Sequence, residues 1–198
     1  MLCPDEKWLA IGQIWYTAYP LNLNDFSVRE ISIPAQPLRM NYSNDSKYIG
    51  IIHGEQGGQG FVYYQQLENG DWLLRSDTWG ISSFAFSFNS KNVFLFGFGN
   101  EKIGTLSCRG LEGEQSIFWQ KQFDLKEFNN NNGFYYSVLK SSKDTFFFSI
   151  NSTLFTINPE NGEIINRKEL NEPLVDIAFV GDDYWLATKN QIINMLDV

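Results

Sequence analysis

One phrase recurs along this chain, and it limits the fold more than any single motif does. A short polar turn built on Asp or Asn, usually with a Lys, runs into a dense apolar stretch. It first stands at Cys3-Pro4-Asp5-Glu6-Lys7-Trp8-Leu9-Ala10-Ile11-Gly12 and returns at Tyr42-Ser43-Asn44-Asp45-Ser46-Lys47-Tyr48-Ile49-Gly50-Ile51. A third copy is Phe86-Ser87-Phe88-Asn89-Ser90-Lys91-Asn92-Val93-Phe94-Leu95-Phe96-Gly97. A looser fourth covers Lys140 to Phe148, and a fifth covers Val180 to Thr188. The lysines at 7, 47, 91 and 143 are 40, 44 and 52 residues apart. Repetition at a fixed period means that one supersecondary unit is stacked on copies of itself, because a single unit cannot bury its own apolar surface.

The phrase has a physical reading. Asp and Asn side chains accept backbone N–H bonds two residues on and so close tight turns. A short apolar run bounded by turn residues suits a strand buried on both faces. Strand-like runs precede each turn, as in Leu38 to Tyr42 and Ile81 to Phe86. Two more follow it: Phe61 to Leu67 and Trp72 to Ser76 around Glu68-Asn69-Gly70-Asp71, and Thr153 to Ile157 and Glu163 to Leu170 around Asn158-Pro159-Glu160-Asn161-Gly162. Asn-Gly between such runs is a strong hairpin signal. The aromatic content, with 17 Phe, 9 Tyr and 6 Trp, suits pleated half-buried surfaces. No segment carries a sustained helical period, so essentially no helix is expected. A four-stranded unit repeating every 40 to 45 residues is the period of a propeller blade.

Cys3 to Gly12 resembles the inner hairpin of a WD40 repeat, with Cys3 in the usual Ser position and Glu6 in the usual Gly position. Tyr42 to Ile51 and Phe86 to Gly97 are similar to it. The turn at Asn158 to Glu163 resembles the outer hairpin of WD40 and quinoprotein-like blades. No Gly-His pair opens a blade and no Trp-Asp pair closes one, which implies a divergent member held together mainly by packing. The expected fold class is all-β: blades of four antiparallel strands, about four to five of them, in a single domain over residues 1–198. The blades span about 1–33 (partial), 37–78, 81–123, 134–170 and 174–198 (partial). The repeat register opens at an A–B turn and stops before a last D strand. Two explanations stay open: an incomplete or open propeller completed by another chain, a second copy or an upstream domain, which is the favoured reading, and an irregular small ring that closes on itself.

Composition bounds the partners. The formal net charge of −8 repels phosphate backbones, so nucleic acid is not expected. No apolar run has the length of a membrane span, and Met1 to Lys7 is not a secretory leader, so no membrane is expected. Cys3 and Cys108 lack metal-ligand spacing and read as reduced thiols of a cytoplasmic protein. The Asn-x-Ser/Thr triplets at Asn41, Asn44 and Asn151 read as chance.

The inventory for chemistry is thin, so no catalytic residue, metal or cofactor is expected. His53 is the only histidine, and the sequence places no nucleophile or orienting group beside it. The stretch Gly54 to Gly60 lacks the Lys-Ser/Thr ending of a phosphate cradle and reads as a flexible B–C loop. Asp144 and Asp182-Asp183 lack calcium-loop spacing. Asn129 to Gly133 reads as a polar loop. Trp79, between strands and before a glycine, is the best candidate for an exposed anchor. The WD40 resemblance implies that B–C and D–A loops share one face, which often binds proteins or peptides. The candidate partner-binding residues there are His53, Gln56, Trp79 and Asn130. The expected function is a non-enzymatic interaction or scaffold module. The alternative is a glycan- or small-ligand-binding propeller, which asks for exposed aromatics at equivalent positions of several blades; an enzyme ranks third.

Overall fold

The computed structural model describes residues 1–13, 16–55, 58–100, 102–112, 116–128, 135–180 and 183–194. Its strands form five antiparallel sheets in chain order, each a meander of neighbouring strands. Blade 1 holds β1 (Trp8–Gln13), β2 (Thr17–Asn22) and β3 (Ile31–Ser32). Blade 2 holds β4 (Gln36–Tyr42), β5 (Tyr48–Glu55), β6 (Gly58–Gln66) and β7 (Trp72–Trp79). Blade 3 holds β8 (Ile81–Phe86), β9 (Asn92–Asn100), β10 (Ile103–Gly110) and β11 (Ile117–Asp124). Blade 4 holds β12 (Ser137–Ser141), β13 (Phe146–Ile150), β14 (Thr153–Ile157) and β15 (Ile164–Glu169). Blade 5 holds β16 (Leu174–Val180), β17 (Asp183–Thr188) and β18 (Ile192–Asn194). The described residues contain no α-helix, only a 3-10 turn at Leu125–Phe128, and so no helix long and apolar enough to cross a membrane.

The recurring phrase makes the A–B hairpin of the first three blades. In blade 2 the Ser43 hydroxyl donates to Asp45 (2.6 Å) and accepts the Tyr48 N–H (3.0 Å), while Asp45 accepts the Lys47 N–H (3.1 Å). Ser87, Asn89, Asn92 and Lys91 repeat these bonds in blade 3. In blade 1 the Cys3 thiol takes the serine's place, donating to Asp5 and accepting the Trp8 N–H. The residue after the Asp or Asn is left-handed in all three: Glu6 at φ 59°, Ser46 at 61° and Ser90 at 57°. A non-glycine residue is disfavoured there, but each serine gains a partner. Ser46 accepts the Asp5 N–H and Ser90 accepts the Asp45 N–H, both at 3.1 Å, so the turns are linked from blade to blade. The fourth turn departs from this pattern and closes through Ser142 and Thr145. The fifth lies partly outside the described residues.

Apolar cores fill the spaces between sheets. Trp8, Ala10 and Ala18 meet Ile49, Ile51 and Val62 between blades 1 and 2. Tyr48, Ile52 and Phe61 meet Phe84, Phe86 and Leu95 between blades 2 and 3. The third space is packed with phenylalanine: Phe94 stacks on Phe146 at 4.1 Å, and Phe96 lies against Phe148 at 4.7 Å. Phe147 and Leu154 meet Ile177 and Leu186 in the fourth. These cores join successive blades; none joins blade 5 to blade 1 among the described residues. The arc is open.

The stretch from Gly54 to Gly60 is not the long loop that its glycines suggest. Strands β5 and β6 pair through Gly54↔Gln59 and Glu55↔Gly58, because glycine leaves ladder hydrogen bonding intact when neighbouring strands supply the packing. Another glycine sets a close approach: a Cβ on Gly97 would lie 2.0 Å from the Gly80 carbonyl oxygen. Substituting Gly97→Ala is therefore expected to lower unfolding free energy by on the order of 3 kcal/mol. Gly110→Ala, whose Cβ would meet only ordinary contacts from 3.4 Å outward, should change stability by less than about 1 kcal/mol. Chemical denaturation of the two variants checks the contrast.

Candidate partner-binding site at the end of blade 2

Three residues stand in one row across blade 2. His53 on β5 pairs with Gly60 on β6, and Gly60 pairs with Trp79 on β7. Gly60 has no side chain to fill the space between the outer two. A Cβ there would lie 2.6 Å from His53 Cε1 and 2.7 Å from Nε2. The imidazole occupies that space instead and meets the Trp79 indole edge-on, with centroids 4.9 Å apart at 89°. Sequence reasoning named His53 and Trp79 separately; the ladder puts them in contact. The signal that joins them is Gly60, the second of two glycines that open β6.

Their exposures differ. His53 is completely buried, so it supports the surface from beneath and presents nothing to a partner. Trp79 is 54% exposed. It ends β7 rather than standing in a loop, and its backbone is clamped. Gly80 follows at φ +79° and turns the chain directly into β8. The Gly80 N–H donates to Gln59 O (2.8 Å) and its carbonyl accepts the Phe98 N–H (3.0 Å). The half-exposed Leu38 lies on the same end of the blade, its Cδ1 3.0 Å from the place a Gly54 Cβ would take. Gln56 and Asn130 lie outside the described residues, as do the other asparagines from Asn129 to Asn132.

The electrostatics under Trp79 are unusual for this chain. His53 Nε2 is 3.5 Å from Asp77 Oδ1, close enough for an ion pair. Neither imidazole nitrogen makes a hydrogen bond of good geometry. Burial holds the imidazole below its ordinary pKa, and the Asp77 carboxylate offsets this only in part. The neutral ring is the resident form. Nearby, the Tyr64 hydroxyl donates to the Ser32 carbonyl and ties blade 2 to blade 1; burial pushes its pKa up to about 12. Among the described residues, no three His, Cys, Asp or Glu side chains gather as metal ligands would. Cys3 and Cys108 are free, buried and in separate cores, and burial pushes the Cys108 thiol up to about 12.

The row is particular to blade 2. At the matching place in blade 3 the ladder reads Gly97↔Thr105↔Gln122, with no aromatic side chain and no histidine.

No family model matches the chain, and no curated protein matches it in sequence. Solved structures do match it in fold. Hydrazine synthase of Kuenenia stuttgartiensis aligns with 98% of this chain and 69% of its own, at a TM-score of 0.69 and 10% identity. The β-propeller domain of Cps50 (Swd1) from Myceliophteria thermophila aligns with 98% of this chain at a TM-score of 0.65 and 13% identity. This chain spans 63% of that one. The fold is thus an open β-propeller of about five blades. At these identities the likeness extends to fold alone.

The buried histidine ties stability to pH. Its folded pKa is depressed, so the neutral form is favoured by folding, and its contribution is fully present above the unfolded value near 6.5. That contribution is lost as pH falls through 6.5 towards the folded value. Thermal melts from pH 7.5 down to 5 should show a falling midpoint for the native chain. A His53→Gln variant, less stable at pH 7.5, should have a flatter profile over the same window.

Proposed function

We propose that this chain is a non-enzymatic protein-interaction module, a scaffold subunit that engages a partner protein through the loop end of blade 2. The observation that carries the reading is Trp79. A half-exposed indole, seated on a buried imidazole and fixed by two backbone bonds through Gly80, loses little freedom when a partner covers it. Tryptophan is among the residues enriched at binding hot spots, and an anchor fixed in advance costs less to bind. The WD40-like likeness supports an interaction role by analogy of fold. A glycan-binding reading asks for the same aromatic on several blades, whereas blade 3 carries Gln122 at the equivalent place.

The test compares pull-downs from the native cell with the wild-type chain, Trp79→Ala and Trp79→Phe. Trp79→Ala is expected to weaken capture of the partner by about thirtyfold, the loss of a hot-spot anchor of about 2 kcal/mol. Trp79→Phe should retain part of the affinity. Capture by Trp79→Ala equal to wild type, with both proteins folded by circular dichroism, would sink the reading. So would saturable binding to a glycan array that Trp79→Ala abolishes.

A further inference from the structure

Trp79 has a charged neighbour on its own strand. Residues two apart on a strand point to the same face, about 7 Å from each other at the Cα, so Asp77 and Trp79 of β7 share a face. Their partners on β6 are Val62 and Gly60. Both side chains reach the buried His53 ring: Asp77 Oδ1 lies 3.5 Å from Nε2, and the indole centroid lies 4.9 Å from the imidazole centroid. One buried imidazole therefore holds a carboxylate and an indole side by side. Both also reach solvent, the Asp77 side chain being 37% exposed and Trp79 54%.

The carboxylate is short of positive charge. Among the described residues its one ion-pair neighbour is His53, and burial holds that ring in its neutral form. Arg75, the arginine of β7, donates instead to Gln65 Oε1, 2.8 Å from its Nε. The two stretches that meet at this end of the blade, His53 to Gly60 and Asp77 to Gly80, contain Glu55 and Asp77 and neither Lys nor Arg. The whole chain has a formal net charge of −8. A partner that covers Trp79 also takes water from Asp77. Burying a carboxylate without an opposite charge is costly, so the partner has to bring a cation.

That cation has two neighbours to satisfy at once. A guanidinium is flat: it lies on an indole and presents in-plane N–H donors to a carboxylate, and it gives up its water more readily than an ammonium does. Cation–π attraction extends to about 6 Å from a ring centroid, which matches the spacing of the two residues along β7. Blade 3 has no such pair. At the corresponding places β11 carries Gln120 and Gln122, opposite Ser107 and Thr105.

We propose that Asp77 and Trp79 together form a site for one arginine side chain of the partner protein. The guanidinium stacks on the indole and pairs with the carboxylate, and His53 is the support that positions both. The inference rests on the interaction-module reading and specifies the chemistry of the partner.

The test selects peptides from a displayed library of random sequence on the full wild-type chain and discards those that bind Trp79→Ala equally well. The remaining peptides are expected to share an arginine. Replacing that arginine with citrulline keeps its shape and removes its charge. The change should weaken binding to the wild-type chain by about tenfold, as for one partly desolvated ion pair with an aromatic contact. Asp77→Asn should bind the arginine peptide about tenfold less tightly than the wild-type chain does, and citrulline should then cost little more. The citrulline comparison needs no altered protein, so it decides the matter even if Asp77→Asn folds poorly. Trp79-dependent peptides without arginine would overturn the inference and leave the interaction reading standing. So would an arginine peptide that tolerates citrulline on the wild-type chain. A selection that yields no Trp79-dependent peptide would overturn both.

Discussion

Each sheet of this protein is apolar on both faces, and that constraint shapes everything else. A sheet with one apolar face can rest on a single layer. One with two must be sandwiched, and a twisted sheet sandwiched between copies of itself builds a curved stack. Blade 2 shows the pattern within one strand: Ile49 and Ile51 of β5 enter the core shared with blade 1, while Tyr48 and Ile52 enter the core shared with blade 3. The phenylalanines of β9 and β13 continue it, with Phe94 on Phe146 and Phe96 on Phe148. The linked Ser–Asp and Ser–Asn turns keep neighbouring blades in register at one end of the stack, while apolar burial holds them face to face.

The same constraint explains why blade 2 carries the most distinctive surface. A bulky residue at the Gly60 position would push the His53 ring out of the sheet. Glycine instead leaves room for the imidazole, which meets Trp79 edge-on, and the Gly80 crossing, packed closely over Gly97, fixes where the indole stands. A buried titratable ring and an exposed aromatic are thus parts of one structure, in which the histidine's role is to support the tryptophan. The cost is a polar ring held without well-formed hydrogen bonds, which is why its charge state bears on stability.

Much of the fold was legible because turn chemistry and buried strands leave local marks. The Ser-x-Asp-Ser-Lys turn at Ser43 to Lys47 and its relatives at Cys3 and Ser87 identify A–B hairpins, since the bonds that close them lie within a few residues. Gly70 and Gly162, at φ +83° and +75°, identify C–D hairpins for the same reason. The stretch from Gly54 to Gly60 misled, because glycine marks both loops and close-packed strands, and only a neighbouring strand decides between them. Of the candidate site, the sequence singled out His53 and Trp79 but gave no reason to join them.

The sequence by itself determined the repeating unit, its all-β character and the positions of most turns, because these depend on interactions between residues near one another along the chain. Only the tertiary structure decided that His53 is buried, that Trp79 stands on it, and that among the described residues no apolar core joins blade 5 to blade 1. Those facts depend on which strands become neighbours and how far the stack curves. Curvature accumulates from small rotations between sheets, set by side-chain packing across each interface, and no local stretch of sequence records that sum.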